Sequence, residues 1–364
     1  MMNFNRAIAI EETDLFEWSY GVIIDAGSTG SRLFLYKWKV VSENKLIDIH
    51  PVFDNFNLPV VKKVTPGLSS FSDSPDSATG YMKPLFDYVN SYVPETKVLY
   101  TPVFIFATAG MRLLSLSSQE AILQNLRTNL PSVTRMHIVP ENIRVIEGKW
   151  EGIYSWIAVN YILGRFDENI SGSHRKSTVG MADMGGASVQ IAFEVGKKDS
   201  TSGGGYEEVN LGCTNDDLYK YRLFVTTFLG YGVNEGLRKY EQSLNRSITF
   251  DNDTAPVIVK DPCLPLNLVK RVGAKNSSYF IRKGTGNWEE CFLDVSKLIT
   301  ESSEPQCYKE KCYLGKVVAP SLSLSSIELY GFSEYWFSLE DVLDLGGTYN
   351  FSAVVTKARR FCRQ

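Results

Sequence analysis

At 364 residues the chain is longer than most single domains, and its 44% hydrophobic and 22% charged residues can form one large core or two moderate ones, of which we expect two. The formal net charge of −3 gives no general attraction to nucleic acid or to anionic lipid. These values exclude a bulk polyanion as the expected ligand, so any phosphate site must be built locally.

Two segments share one strand–loop–strand design. Residues 21–38, GVIIDAGSTGSRLFLYKW, predict an apolar strand, an Asp-x-Gly turn and a second, alternating strand. Residues 179–195, VGMADMGGASVQIAFEV, repeat this order, and the aligned pairs are Asp25 with Asp183, Gly27 with Gly185, and Arg32 with Gln190. The chain therefore contains an internal duplication.

The segments around these hairpins predict strands interleaved with helices. Residues 101–112 indicate a buried strand that runs into a polar turn, and residues 150–163 an amphipathic helix with Glu151 in its first turn. Residues 215–244 look helical, with an interruption near Gly230. This order is typical of an α/β fold.

All six cysteines lie in the second half, at Cys213, Cys263, Cys291, Cys307, Cys312 and Cys362, without the paired spacing of a zinc site. Cys307 with Cys312 could close a short loop and Cys263 with Cys291 a longer one, as in an oxidising compartment; reduced, buried thiols are the alternative. Five Asn-x-Ser/Thr sequons, at Asn169, Asn245, Asn252, Asn276 and Asn350, favour the same compartment.

The first 18 residues do not resemble a secretory signal, and no run of about 18 apolar residues occurs. We therefore expect no signal peptide and no transmembrane segment in this chain.

The two loops have the composition of phosphate-binding turns. Glycine lets backbone N–H groups approach an anion, and Ser and Thr hydroxyls donate further hydrogen bonds. The leading carboxylates, Asp25 and Asp183, can hold a hydrated divalent cation that bridges phosphate oxygens. One such turn alone is an ordinary hairpin. Two copies that face each other across a cleft can bind a polyphosphate from both sides, so the duplication favours function.

Four motifs in order resemble the E-type nucleoside triphosphate diphosphohydrolases, or apyrases. They are DAGSTGSR at 25, ATAGMR at 107, WEGIYSWIAVNYIL at 150 and DMGGASVQ at 183. The segments TPGLSSF (65–71), GTGNWEEC (284–291) and EYWFSLEDVLDLGGTYNF (334–351) are most similar to the fungal Golgi apyrases. The resemblance covers nearly the whole chain from about residue 20.

The resemblance implies a two-lobed, duplicated actin/hexokinase/Hsp70-like (ribonuclease H-like) α/β fold. The first lobe, residues 1–147, carries phosphate loop 1, and the second, residues 148–364, carries phosphate loop 2 and cysteine-containing insertions. Family members continue past Gln364, so the resemblance implies a truncated chain whose lobes are incomplete at the C-terminus. It also implies a Golgi lumen or membrane location, with the membrane anchor expected in the family lying in the absent tail.

The resemblance also assigns roles to individual residues. Glu151 matches the catalytic base that takes a proton from the attacking water, Ser188 and Gln190 match the side chains that orient this water, and Thr108 matches a supporting hydroxyl. Asp25 and Asp183 would bind Ca²⁺ or Mg²⁺ through water. The residues expected to line the phosphates are Ser28, Thr29, Gly30, Ser31, Arg32, Gly185, Gly186 and Ala187. Without the resemblance, a first-turn Glu is an ordinary response to the helix dipole.

Three aromatic residues, Tyr335, Trp336 and Phe337, fall where the family stacks the nucleobase on a ring. The alternative is a strand that packs these rings into a core. Cell-surface relatives carry Arg where this chain has Val233, which suggests loose base selectivity.

The implied function is divalent-cation-dependent hydrolysis of the terminal phosphates of nucleoside tri- and diphosphates. Phosphoryl transfer needs positioning and charge neutralisation more than covalent chemistry, and three histidines in the chain make a Ser-His-Asp set improbable. One alternative is a catalytically weak nucleotide-binding fragment that lacks its C-terminal tail. Another is a sugar kinase or exopolyphosphatase of the same fold class, although those enzymes lack the ATAGMR motif and the Glu-Gly helix. The sequence makes no prediction of oligomeric state.

Overall fold

The computed structural model describes residues 18–39, 46–167, 175–196, 206–212, 219–246, 257–273, 279–301 and 327–364. The chain forms two compact units. The first comprises residues 1–147 and 208–221, and the second residues 148–207 and 222–364.

The first unit is built on a six-stranded sheet in the order β3-β2-β1-β5-β6, with β4 also paired to β2. Its strands are β1 (Trp18–Ala26), β2 (Ser31–Lys39), β3 (Ile49–Pro51), β4 (Val61–Val64), β5 (Pro102–Ala107) and β6 (His137–Val145). The predicted hairpin is confirmed, because β1 and β2 pair antiparallel around the DAGSTGSR turn. The predicted strand within residues 101–112 is β5, which pairs parallel with β1.

The helices of the first unit pack on this sheet around a continuous apolar core. They are α1 (Ala78–Val89), α2 (Ala109–Arg112) and α3 (Leu116–Asn129), with 3₁₀ turns at Leu68–Phe71, Pro75–Ser77, Val98–Tyr100 and Leu130–Ser132. The core includes Ile24, Leu33, Ile105, Phe86 and Leu126, all fully buried. One face of the sheet is therefore covered by an apolar core, and the polar turn residues lie at the ends of the strands.

A second sheet has the order β14-β7-β8-β10-β9. Its strands are β7 (Gly180–Met184), β8 (Ser188–Glu194), β9 (Tyr206–Asn210), β10 (Lys220–Leu229) and β14 (Leu329–Ser333). The second predicted hairpin is confirmed as β7 and β8. The helical prediction for residues 215–244 was wrong for Lys220–Leu229, which pairs with β8 along seven residues. The β-branched and aromatic side chains of this segment fit a sheet, and within the described residues 219–246 the α-helix begins at Val233.

The predicted helix is α4 (Gly148–Ile162), with Glu151 in its first turn. Its buried side is formed by small and apolar residues, and Asn160 exchanges hydrogen bonds with the backbone of Val179 at 2.8 and 3.0 Å. These bonds fix α4 to the start of β7, so the helix lies along the sheet that carries the second hairpin.

The rest of the second unit holds a small sheet and further helices. Strands β11 (Val257–Asp261), β12 (Val269–Val272) and β13 (Phe280–Gly284) form the order β11-β13-β12. The helices are α5 (Val233–Arg246), α6 (Trp288–Glu301), the short α7 (Glu334–Trp336), a π-helical turn (Phe337–Val342) and α8 (Phe351–Cys362). Inside this region the buried Arg282 donates to Asp261 at 2.6 Å and pairs with Glu241.

The proposed pairing of Cys263 with Cys291 is present as a disulfide bond. Cys362 is a free, partly buried thiol. The suggested Cys307–Cys312 pair, Cys213, and the sequons at Asn169, Asn252 and Asn276 lie outside the described residues. Within the described ranges, none of the helices combines the length and the apolar character needed to cross a membrane.

Candidate active site

The two hairpins have the same backbone geometry. In the first, the Gly27 N–H donates to the Gly30 carbonyl at 3.0 Å, and in the second the Gly185 N–H donates to the Ser188 carbonyl at 3.0 Å. The register is also equal, since Asp25 lies opposite Arg32 and Asp183 lies opposite Gln190. The duplication predicted from the sequence therefore extends to individual hydrogen bonds.

The strand that leads into each loop also has an equivalent parallel neighbour. Strand β1 pairs parallel with β5, and β7 pairs parallel with β14. Each loop is approached closely by a glycine from elsewhere in its own unit. A Cβ atom at Gly67 would overlap the Ser28 carbonyl, and one at Gly232 would overlap the backbone of Gly185 and Ala187. Both loops are thus covered by backbone where a side chain cannot fit.

In the first hairpin, the polar side chains at the turn differ in exposure. Asp25, Thr29 and Arg32 are exposed. Ser31 is fully buried, and its hydroxyl accepts a hydrogen bond from the Tyr81 hydroxyl at 3.1 Å. The Ser31 side chain thus anchors the start of β2 to α1.

Thr108 lies beside this hairpin at the end of β5. Its N–H donates to the Ala26 carbonyl at 3.2 Å, and it precedes the short helix α2. The parallel pairing of β1 with β5 therefore brings the ATAGMR turn next to the first loop. Arg112 in this turn does not point a free guanidinium into the loop, because it donates to the Ile146 carbonyl at 3.0 Å.

In the second unit, three of the predicted site residues form one hydrogen-bonded cluster. The Gln190 side-chain nitrogen lies 3.1 Å from Glu151 Oε2 and 2.7 Å from Ser188 Oγ. Ser188 and Gln190 are buried and share one face of β8, while Glu151 reaches them from the first turn of α4. The arrangement places a carboxylate, an amide and a hydroxyl around one point.

Asp183 is the last residue but one of β7 and lies opposite Gln190 of this cluster. Its Oδ1 atom is buried and has no hydrogen-bond partner among the described residues. Burial raises the pKa of the Asp183 carboxyl, and a hydrogen bond from the Ser333 side chain opposes this rise. A buried carboxylate oxygen without a donor is suited to a cation or its bound water.

The three aromatic residues proposed for the nucleobase lie in helical turns after β14. Tyr335 is partly buried, while Trp336 and Phe337 are each 48% exposed. The alternative of a strand packing these rings into a core is wrong for Trp336 and Phe337. Burial raises the pKa of the Tyr335 phenol, and the charge of Asp183 contributes to the rise. Tyr335 is thus close enough to Asp183 for the charge of that carboxyl to act on its phenol.

The structure adds residues that sequence reasoning did not identify. Thr227 on β10 lies 3.3 Å from the Gln190 side-chain nitrogen. Ser333 bonds Asp183 from a backbone with φ of 56°, a conformation that a serine rarely adopts. Thr227 was missed because its strand was interpreted as a helix. Ser333 could have been found only from the parallel pairing of β14 with β7.

An α/β protein in which a duplicated strand–loop–strand unit carries an Asp-x-Gly turn has the architecture of the actin-like phosphotransferase class. The chain belongs to the GDA1/CD39 (nucleoside phosphatase) family, whose model matches residues 12–364. This finding confirms the family resemblance that the four sequence motifs indicated. Members of this family generally use divalent cations. The particular similarity to fungal Golgi apyrases stays a prediction.

Curated relatives from several animals are similar to this chain. It is 53% identical over 360 residues to the nucleoside-diphosphatase mig-23 of Caenorhabditis briggsae, covering 96% of this chain and 64% of that protein. It is 47% identical over 348 residues to the nucleoside-triphosphatase ntp-1 of Caenorhabditis elegans, covering 95% and 60%. Human ectonucleoside triphosphate diphosphohydrolase 4 is 36% identical over 395 residues, covering 98% and 63%. The chain thus spans somewhat less than two thirds of the length of these relatives.

A solved structure shares the fold. The crystal structure of nucleoside triphosphate hydrolases from Neospora caninum aligns with a TM-score of 0.66 at 17% sequence identity, covering 95% of this chain and 79% of that chain. The predicted α/β, actin-like fold class is confirmed.

Proposed function

We propose that this protein hydrolyses the terminal phosphates of nucleoside tri- and diphosphates with the help of a divalent cation. The observation that carries the proposal is the cluster of Glu151, Gln190 and Ser188 at the second hairpin. The names of the nucleoside-diphosphatase and nucleoside-triphosphatase relatives support the same substrate class. Nucleic acid is not an expected substrate, since the net charge is −3.

The chemistry needs one base and two orienting groups. A water oxygen attacks the terminal phosphorus in line as the bond from phosphorus to the leaving nucleotide oxygen breaks. Glu151 accepts a proton from this water, while the Ser188 hydroxyl and the Gln190 amide hold the water in place. The Gln190 amide bonds both Glu151 and Ser188, so the base and the two orienting groups are held close together, as this task requires.

The phosphates would be held by the two loops. The residues proposed to line them are Ser28, Thr29, Gly30, Ser31, Arg32, Gly185, Gly186 and Ala187, with Thr108 as a supporting hydroxyl. For Ser31 the backbone N–H and hydroxyl both bond the Tyr81 hydroxyl, so its contribution would be to hold the loop. Arg32 supplies an exposed positive charge that suits phosphate oxygens.

The residues present fit a largely hydrated divalent cation, Ca²⁺ or Mg²⁺. In the part of the chain that the structure describes, no three His, Cys, Asp or Glu side chains are close enough to hold a metal by themselves. Asp25 and Asp183 would therefore act through water, and the buried, unpartnered Oδ1 of Asp183 suits this role. The cation would neutralise charge on the phosphate oxygens.

Three further parts of the proposal rest on the family resemblance. Residues 1–147 and 148–364 would be the lobes that carry phosphate loops 1 and 2. Tyr335, Trp336 and Phe337 would supply the ring that stacks on the base, and the exposure of Trp336 and Phe337 is compatible with this role. A Golgi location comes from the resemblance, and the disulfide between Cys263 and Cys291 is compatible with an oxidising compartment.

The test is a phosphate-release assay on ATP, ADP, GDP and UDP with Ca²⁺, with Mg²⁺ and with a chelator. We expect release that stops with chelator and falls about 10³-fold in Glu151→Gln. The matched control is Glu235→Gln, because Glu235 also lies in the first turn of a helix but outside the cluster. No release by the wild type above the level of Glu151→Gln and the chelator control would reject the proposal and favour a nucleotide-binding fragment. A phosphorylated sugar in place of free phosphate would indicate a kinase.

A further inference from the structure

Thr227 extends the row of active-site residues by one strand. In the antiparallel register Asp183 on β7 lies opposite Gln190 on β8, and Gln190 lies opposite Thr227 on β10. Residues directly opposite in antiparallel strands place their side chains on the same face of the sheet. Thr227 therefore belongs to the face that carries the proposed water-orienting amide.

The Thr227 hydroxyl takes part in holding the Gln190 amide. The side-chain nitrogen of Gln190 has two N–H groups and three oxygen acceptors within 3.3 Å, those of Ser188, Glu151 and Thr227. Ser188 lies on the same strand as Gln190, Glu151 on α4, and Thr227 on the neighbouring strand. Only Thr227 links the amide to β10, so it restricts rotation of the amide away from Glu151.

Thr227 also sets the position of the helix that carries Glu151. A Cβ atom added at Gly148, the first residue of α4, would overlap the Thr227 side chain. One turn later, a Cβ atom at Gly152 would come within 3.1 Å of a Val225 methyl group and 3.6 Å of the Gln190 Cβ. Glu151 lies between these two glycines in the first turn. The start of α4 therefore rests directly on Thr227, with no side chain between them.

We infer that Thr227 is a positioning residue of the reaction: its hydroxyl holds the Gln190 amide, and its side chain, hydroxyl and methyl group together, packs against Gly148 at the start of α4. This inference rests on the proposed function, since it acts through Gln190 and Glu151. Thr227 fixes the distance between base and amide without touching the phosphate. Its loss lowers the rate of the chemical step and leaves substrate binding unchanged.

The test compares variants that separate the hydroxyl from the packing. Thr227→Val keeps the shape and removes the hydrogen-bond acceptor, while Thr227→Ser keeps the hydroxyl. The matched control is Thr226→Val, because Thr226 points to the opposite face and lines an apolar cavity of about 780 Å³ in the second unit. We expect kcat of Thr227→Val to fall about tenfold, the value of one hydrogen bond, with KM unchanged. Thr227→Ser should recover most of kcat, and Thr226→Val should match the wild type.

Thermal unfolding of each variant provides a readout that does not depend on activity. An equal Tm for Thr227→Val and Thr226→Val together with a fall in kcat only in the former supports the inference. If Thr227→Val does not fold, Thr227→Ser and Thr227→Ala make the same comparison, because they differ only by the hydroxyl. If Thr227→Val keeps the kcat of the wild type while Glu151→Gln loses activity, the positioning role is overturned. A wild type that releases no phosphate rejects the proposed function instead.

Discussion

The two hairpins have one backbone and two different surfaces. Both loops close with the same glycine N–H bond and the same register. In the first hairpin the paired side chains, Asp25 and Arg32, are exposed. In the second, Gln190 is 1% exposed and the Oδ1 of Asp183 is buried.

The helix α4 accounts for much of this difference. It packs through Gly148 and Gly152 onto the face of the second sheet that carries Gln190, so side chains there are removed from water and bonded to one another. The two hairpins therefore share a backbone, but the first carries exposed, charged side chains and the second carries buried, hydrogen-bonded ones. The exposed guanidinium of Arg32 suits the binding of a phosphate that enters from solvent. The covered Gln190 amide and Glu151 carboxylate suit the fixed orientation of one water molecule.

Among changes within the hairpins, the largest expected effect comes from removing the equivalent residues Gln190 and Arg32. Gln190→Ala should lower kcat about 100-fold with little change in KM, because a misplaced water reacts slowly. Arg32→Ala should raise KM about tenfold, because a charge-assisted hydrogen bond to phosphate is lost. Steady-state kinetics with ADP measures both. The same pattern of change in the two variants would show that the hairpins do not divide binding and catalysis in this way.

A second test concerns the glycines that cover the loops. Gly67→Ala and Gly232→Ala should each lower the free energy of unfolding by about 2 kcal/mol, because the added methyl group overlaps backbone that cannot move aside. Chemical denaturation measures the change. An effect in only one of the two variants would show that the loops are covered differently.

The controls for these variants are the helical glycines Gly80 and Gly236, one in each unit. An added Cβ meets nothing within 4 Å at either position. Both Ala variants should raise the free energy of unfolding by about 0.5–1 kcal/mol, because Ala is the better helix former. Destabilisation by Gly80→Ala or Gly236→Ala would show that the loss at the loop glycines is not due to overlap.

The sequence was sufficient where local pattern and turn chemistry agreed. Alternating strands around Asp-x-Gly turns predicted both hairpins, and residues 150–163 predicted α4. The expected amphipathic character of this helix was wrong, because Trp150, Tyr154 and Ile162 are exposed. The role of Glu151 was visible only through the family resemblance. Its contact with Gln190 then follows from the packing of α4 on β8, which no local pattern contains.

The sequence was insufficient where neighbours in space decided the outcome. Strand β10 continues almost directly into α5, so residues 215–244 resembled one interrupted helix. Pairing with β8 makes Lys220–Leu229 a strand and brings Thr227 to Gln190. The bond from Ser333 to Asp183 likewise depends on a parallel pairing of segments about 150 residues apart, and such pairings leave no local signal.

The last test separates the carboxylates of Asp25 and Asp183 by their effect on stability. Asp183→Asn should raise the free energy of unfolding in the presence of chelator by about 1 kcal/mol, because a neutral amide replaces a charged group whose Oδ1 is buried and unpartnered. Asp25→Asn should change it little, because Asp25 is exposed. Thermal unfolding with chelator and with Ca²⁺ or Mg²⁺ measures both. If the cation raises the stability of the wild type but not that of Asp183→Asn, the cation acts on the buried Asp183 carboxylate and offsets the cost of its burial. A loss of stability in Asp183→Asn under chelator would mean instead that the Ser333 bond outweighs burial, and the second hairpin would then differ from the first by its hydrogen bonds and not by its charge.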